Sequence, residues 1–335
     1  MRPEKSAFSA GGLLKNPHVQ SILSSSPWRR QAGFERLTAL GAVAQGRILQ
    51  LPDGVRLSGI HYVSTVKQPK NALVLLLHGW EGSAHSSYIQ HSTAELLAAG
   101  VDVFALNFRD HGETHGLNEG LFHSCRLQEV VDAAKAVLQQ CRPEHFFVAG
   151  YSLGGNFALR LALVAEREGL PIDAAFAICP PVDPSSVLTE LETGPALYHW
   201  YFMRKWRGSL KQKRRLFPHI HDYGEEIFRL DMRGLTRWLV TQHTEWPDEE
   251  HYFAGYAVTD KRLSELIMPI GILASEDDPV IPVASLKALK LPKNGRLEIS
   301  RHGGHCGFIE SWALQGYAER WLGNQISAVL TKSAQ

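Results

Sequence analysis

Gly150-Tyr151-Ser152-Leu153-Gly154 constrains this chain more than any other stretch. An apolar run, His145-Phe146-Phe147-Val148-Ala149, leads into it, and a segment of helical character, Gly155 to Leu163, leads out. A serine with glycines two residues to either side, set between a strand and a helix, belongs to a very sharp turn. The serine there takes strained φ and ψ, and the glycines let the strand and helix backbones approach closely. Such a turn lifts the hydroxyl above the sheet edge and places it at a helix N-terminus, which favours developing negative charge. Taken alone, the pentapeptide should arise by chance in roughly one of six chains of this composition, so its surroundings decide its meaning.

Those surroundings alternate between strand and helix. Strands are expected at about 72–77, 101–107, 145–150 and 174–179, and helices at about 86–99, 125–140 and 153–168. Upstream, Gly46–Leu51 and Val55–Tyr62 flank Pro52-Asp53-Gly54 and read as an antiparallel hairpin. Apolar strands alternating with helices imply an α/β fold with a mostly parallel sheet and helices on both faces. Residues 1–45 read as irregular, with Gly11-Gly12 and Asn16-Pro17 as breakers. After Pro180-Pro181 the alternation stops, and residues 184–260 hold no convincing strand. Ile270–Ala274 and Arg296–Ser300 restore it, and Ile309 to about Leu330 reads as a closing helix. The organisation expected is therefore an N-terminal segment (1–45), a core in two parts (46–183 and 261–335) and a helical lid (184–260) over the carboxyl edge of the sheet, where open α/β sheets bind ligands.

A serine hydroxyl needs a base, and the base needs an orienting acid, before it can attack a carbonyl. In strand-to-helix turns of this kind those partners follow in the order serine, acid, histidine. The strand ending at Ala274 runs into Ser275-Glu276-Asp277-Asp278-Pro279-Val280-Ile281-Pro282, where Asp278 is preferred as the acid and Asp277 is the alternative. The next strand ends in Arg301-His302-Gly303-Gly304-His305-Cys306, where His305 is the expected base and His302 the lesser candidate. An oxyanion hole requires backbone N–H donors. Leu153, after the serine, is one expected donor. Trp80, in Leu77-His78-Gly79-Trp80-Glu81-Gly82-Ser83, is the other.

Four segments together carry a family resemblance: Asn16–Ile22, His78–Ser83, Asn107-Phe108-Arg109-Asp110-His111-Gly112 and Gly150–Asn156. The chain resembles the YheT-type branch of the α/β-hydrolase superfamily, esterases related to ABHD1/ABHD3-type lipid hydrolases, from about residue 13 to the closing helix. The resemblance implies an eight-stranded α/β-hydrolase fold with a helical lid, and Ser152, Asp278 and His305 match the family's triad positions. It departs at Arg109-Asp110-His111, where relatives tend to carry Asn-x-Arg-Gly-Cys. The function so implied is hydrolysis of carboxylic esters with short- to medium-chain acyl groups, on a small-molecule ester or lipid, without a cofactor. An acyltransferase would use the same triad with an alcohol or thiol in place of water, and a non-catalytic binding protein would keep only the fold.

Formal net charge is +1, which gives no pull towards nucleic acid. No signal peptide or long apolar run is visible, so a cytoplasmic location is expected. Cys125, Cys141, Cys179 and Cys306 lack metal-site spacing, and Cys306 is expected to pack rather than react. His111 and His115 are four apart, but Gly112 and Gly116 argue against the helix that would aim both at one metal. Tyr198–Trp206, followed by Lys211–Arg215, combines aromatic with basic residues. It is consistent with a solvated lid face or with weak association with a membrane surface. The aromatic residues of this run, with Trp238, Trp246, Tyr252 and Phe253, are expected to line an acyl channel.

Overall fold

A computed structural model describes residues 3–333. Its strands are β1 (Glu4–Lys5), β2 (Val43–Gln50), β3 (Arg56–Val63), β4 (Ala72–Leu77), β5 (Asp102–Leu106), β6 (His145–Tyr151), β7 (Ala174–Ile178), β8 (Ile270–Ser275) and β9 (Gly295–Ser300). The helices are α1 (Pro17–Ser24), α2 (Pro27–Ala39), α3 (Ser87–Ala98), α4 (Leu127–Cys141), α5 (Leu153–Glu168), α6 (Pro184–Thr193), α7 (Ala196–Leu216), α8 (Met232–His243), α9 (Glu249–Tyr256), α10 (Val283–Lys287) and α11 (Tyr317–Ser333). One sheet takes the order β1-β9-β8-β7-β6-β4-β5-β3-β2. Its β3–β2 and β3–β5 pairs are antiparallel and the rest parallel. It has nine strands rather than the expected eight, because Glu4 and Lys5 add a short parallel strand against β9.

Alternation along β4 shows why the sheet is covered on both sides. Leu73, Leu75 and Leu77 belong to one core with α4 and α5, whereas Ala72, Val74 and Leu76 belong to a second with α3 and α11. A strand buried on both faces needs such a run of apolar residues.

Two expectations are corrected. The described part of the N-terminal segment, residues 3–45, is not irregular: it contains α1 and α2. The apparent breakers are helix starters, since the Asn16 side chain accepts from the His18 and Val19 N–H groups with Pro17 in the first turn. Ser26 and Pro27 repeat the device at α2. The closing helix starts at Tyr317 rather than Ile309. Residues 309–316 instead form a loop closed by an Ile309–Gly316 bridge, with Leu314 left-handed at φ 61°.

Between β7 and β8 the chain makes four helices, α6 to α9. Lys213 of α7 fastens this insertion to the core. Only 1% of its side chain is exposed, and its Nζ lies 2.6 Å from Asp110 Oδ1 while donating to the His115 and Asn118 carbonyls. The second Asp110 oxygen accepts from Phe122 N–H. Removing one member of a buried pair strands the other charge at a cost of about 3–5 kcal/mol. Lys213→Ala is therefore expected to lower stability by about that amount, and Lys213→Ala with Asp110→Ala to recover most of the loss. Urea titration reads both. A Lys213→Ala protein as stable as wild type would mean that the pair does not hold the insertion.

Candidate active site

Four loops at the carboxyl ends of β4, β6, β8 and β9 converge at one point of the sheet edge. At the end of β6 the backbone of Ser152 sits at φ 51°, ψ −122°, a region a non-glycine residue enters only when its surroundings force it. The force comes from close packing. A Cβ on Gly150 would stand 2.2 Å from the Gly154 backbone, and one on Gly154 would stand 2.3 Å from the Leu77 carbonyl oxygen. Strand, helix and the neighbouring β4 can therefore meet only through hydrogen atoms.

Ser152 Oγ lies 3.0 Å from His305 Nε2, and His305 Nδ1 lies 2.9 Å from Asp278 Oδ2. The Asp278 carboxylate also accepts from the Val280 and Ile281 N–H groups at 2.8 and 3.0 Å, so its position is set by backbone. The two lesser candidates pair apart from this chain of bonds. Asp277 accepts from Gly304 N–H at 2.9 Å and approaches His302 Nδ1 at 3.4 Å. Asp183 caps α6, accepting from Ser186 N–H. Burial disfavours a charged imidazole at His305, yet the Asp278 carboxylate, assisted by Cys306, outweighs it and holds the pKa well above the ordinary value.

The two expected oxyanion donors, Trp80 and Leu153, flank Ser152: Leu153 follows it at the start of α5, and Trp80 lies in the loop after β4. A Cβ on Gly79 would come 3.2 Å from Ser152 Cβ, so the loop after β4 runs directly against the serine. Neither the Trp80 nor the Leu153 amide donates to another backbone group among the described residues. His78 braces this loop. Its Nδ1–H donates to the Gly79 carbonyl at 2.7 Å, and its Nε2 accepts from Phe108 N–H at 3.2 Å. Burial lowers its pKa to about 4, which keeps the ring neutral, as that pair of bonds requires. Tyr88 Oη accepts from Gly79 N–H, and Asn107 Oδ1 from Ala84 N–H.

The α1 helix braces the opposite side. Ser21 Oγ accepts from His305 N–H at 2.8 Å, and the buried Gln20 bonds both N–H and C=O of Ile309. His18 Nδ1 meets Tyr198 Oη of α7 at 2.9 Å. The sequence marks Asn16–Ile22 only through the Asn16-Pro17 breaker and the family resemblance, and His78 only as part of the His78-Gly79 turn; the bracing contacts of both segments are long-range. Glu81 was also missed. It has a left-handed backbone at φ 57°, and burial, opposed by Lys205, raises its pKa to about 7.

His111 and His115 are engaged separately, His111 with the Arg109 carbonyl and His115 with Ser209 Oγ. Cys179, His305 and Cys306 bring one ligand-type atom each within 4.8 Å of one another, but both His305 nitrogens already have partners.

Ser152 lies where two spaces meet. The first, of about 140 Å³, runs beneath the insertion and is lined mainly by apolar groups, among them Leu188, Phe202, Trp206, Leu239 and Tyr252. The second, about 600 Å³, lies between α1–α2 and α7 and is more polar, with Ser24, Ser25, Arg30 and Lys205 along it and His305 at its base. The expected aromatic lining is only partly present. Phe202, Trp206, Tyr252 and Phe253 face the first space. Trp200 is 58% exposed, Trp238 packs on Tyr223 and His243, and Trp246 packs on Gly255. Helical periodicity along α7 turns Trp200 away from the first space, and Trp246 lies in the loop between α8 and α9, packed on Gly255.

Among the described residues no helix is long and apolar enough to cross a membrane. A family model described as the alpha/beta hydrolase fold matches residues 72–311. The chain is 24% identical over 326 residues to the Escherichia coli (strain K12) protein named "Putative esterase YheT", covering 94% of this chain and 90% of that one. It is 22% identical over 275 residues to phospholipase ABHD3 of Bos taurus, covering 81% of this chain and 66% of that protein. Among solved structures, an esterase of Pyrobaculum calidifontis matches 97% of this chain and 99% of its own, with a TM-score of 0.58 at 16% identity. The Pyrococcus furiosus esterase Pf2001 matches 88% and 95%, at 0.55 and 15%. At such identities the structural likeness speaks for the fold alone.

Proposed function

This chain belongs to the α/β-hydrolase fold family, and on that premise we propose that it is a serine-dependent carboxylic ester hydrolase with α6 to α9 as its lid. The observation that carries the reading is the unbroken series Ser152 Oγ, His305, Asp278 at the carboxyl edge of the sheet. Esterase and phospholipase names among the relatives support it. Ser152 Oγ attacks the acyl carbonyl carbon while His305 Nε2 takes its proton. The oxyanion is received by the N–H groups of Trp80 and Leu153. The tetrahedral intermediate expels the alkoxide, which takes the proton from His305, and leaves an acyl-Ser152 ester. Water then attacks that ester with His305 again as base, and the acid departs as Ser152 recovers its proton. No metal or organic cofactor enters these steps.

The acyl group occupies the narrow apolar space and the alcohol the wider groove. That groove opens onto His305, so an alcohol acceptor in place of water is the second reading, an acyl transfer by the same triad. Each buried methylene contributes about 0.8 kcal/mol, so kcat/KM is expected to rise up to about fourfold per added CH₂ until the space is full, then fall. A series of p-nitrophenyl esters from acetate to palmitate, with and without added alcohols, gives both the chain-length optimum and the share of transfer. The optimum is expected at short to medium length. Trp206→Ala should move it to longer chains and Trp200→Ala should not. A flat profile unmoved by Trp206→Ala would remove the acyl group from this space.

A further inference from the structure

The space assigned to the acyl group contains a feature that a plain hydrocarbon chain does not need. His111, 3% exposed, lines it. Its Nδ1 lies 2.7 Å from the Arg109 carbonyl oxygen, which can only accept, so Nδ1 carries the proton. Burial, aided by the His78 imidazole, keeps the pKa well below the ordinary value, and the ring is neutral. Its Nε2 is therefore a bare acceptor, and among the described residues it meets no partner. The adjacent His78, in the same surroundings, is satisfied at both nitrogens. His111 is held in place edge-on by Phe122, with ring centroids 4.7 Å apart at 82°. His123, on the same loop and lining the same space, also has an unpartnered Nδ1.

Buried acceptors are nearly always paired, and an unpaired one is costly to keep. An alkyl chain would leave His111 Nε2 without a partner, whereas a donor on the chain would satisfy it. We propose that the preferred acyl group carries a hydroxyl along its chain and that His111 Nε2 accepts the hydrogen bond from it, so that the substrate class is hydroxyacyl esters rather than simple alkanoates. The proposal rests on the esterase reading above. His111 acts here as a specificity residue and takes no part in the proton transfers.

The test compares p-nitrophenyl octanoate with octanoates hydroxylated at successive carbons, leaving out those that lactonise spontaneously. In wild type the best hydroxylated ester is expected to exceed octanoate in kcat/KM by on the order of 10-fold or more, the worth of one buried hydrogen bond. His111→Phe keeps an aromatic ring and removes the acceptor, and it should bring that ratio to about one. His111→Gln, which can still accept, should keep part of the preference and covers the case in which the Phe variant does not fold. Octanoate preferred over every hydroxylated chain in wild type, as a resident water on His111 would produce, overturns the proposal. So does a ratio that survives in His111→Phe. Fluorophosphonate labelling of Ser152 separates the two claims. If no ester turns over and no label is taken up, the esterase reading fails. The stabilisation of wild type by free hydroxyoctanoic acids over octanoic acid, lost in His111→Phe, then decides the present proposal, and equal shifts overturn it.

Discussion

Ser152→Ala is expected to abolish ester hydrolysis and all labelling by a fluorophosphonate, while leaving the protein folded. In a well-studied triad, loss of the nucleophile lowers kcat by about 10⁶. What remains is rate enhancement from the amides and from binding alone. The fold should survive because, among the described residues, the only side-chain hydrogen bond of Ser152 is that to His305. The strained φ of 51° is as unwelcome to alanine as to serine, so stability should change little. Circular dichroism and labelling on the same preparation check both halves. Substantial turnover in clean Ser152→Ala protein would move the nucleophile elsewhere, and Cys306 would be the first thiol to examine.

The second large effect concerns Asp278. Replacing it with asparagine keeps the shape but removes the charge, and the amide nitrogen then faces His305 Nδ1, favouring the wrong tautomer. The expected loss in kcat is on the order of 10⁴. Asp277→Asn should do far less, since Asp277 is bonded to Gly304 N–H and approaches His302. The acid limb of the pH profile separates the effect on His305 from a merely structural one. His305 must be unprotonated to accept the Ser152 proton, so activity is present above its pKa and lost as pH falls through it. Asp278 holds that pKa well above the ordinary 6.5, so the wild-type midpoint should lie above 6.5. In Asp278→Asn the favouring charge is gone while burial remains, and the midpoint should move down. A midpoint that stayed in place would detach Asp278 from His305, and reversed kcat effects at the two aspartates would exchange their roles.

Much of this arrangement was legible because the relevant forces are local. The β4 run Ala72–Leu77 can only be a strand buried on both faces. The glycines around Ser152 are required by contacts within a few residues or with the adjacent strand. The preference for Asp278 over Asp277 also rested on a local pattern, an acid followed by one residue, two apolar residues and Pro282, and in the structure Asp278 accepts from the Val280 and Ile281 N–H groups. What escaped notice depends on long separations. Ser21 and His305 are 284 residues apart, and Lys213 and Asp110 are 103 apart. No periodicity links such pairs. The N-terminal helices were hidden by residues read as breakers, such as Asn16-Pro17, because a proline stops a helix from within but starts one from its first turn, as Pro17 does in α1 and Pro27 in α2. In the insertion, aromatic content was visible but direction was not, and so Trp200 and Trp206 looked alike although they face opposite ways.

The unequal spaces on the two sides of Ser152 bear on stereochemistry. An acid whose chiral centre sits near its carbonyl would enter only about 140 Å³ of room. Its mirror image would have to exchange two substituents there, with few alternative fits. An alcohol with its chiral centre next to the ester oxygen would find about 600 Å³ and several orientations of similar merit. Racemic acids should therefore be resolved by this protein and racemic alcohols hardly at all. Handedness would be read on one side of the scissile bond and ignored on the other.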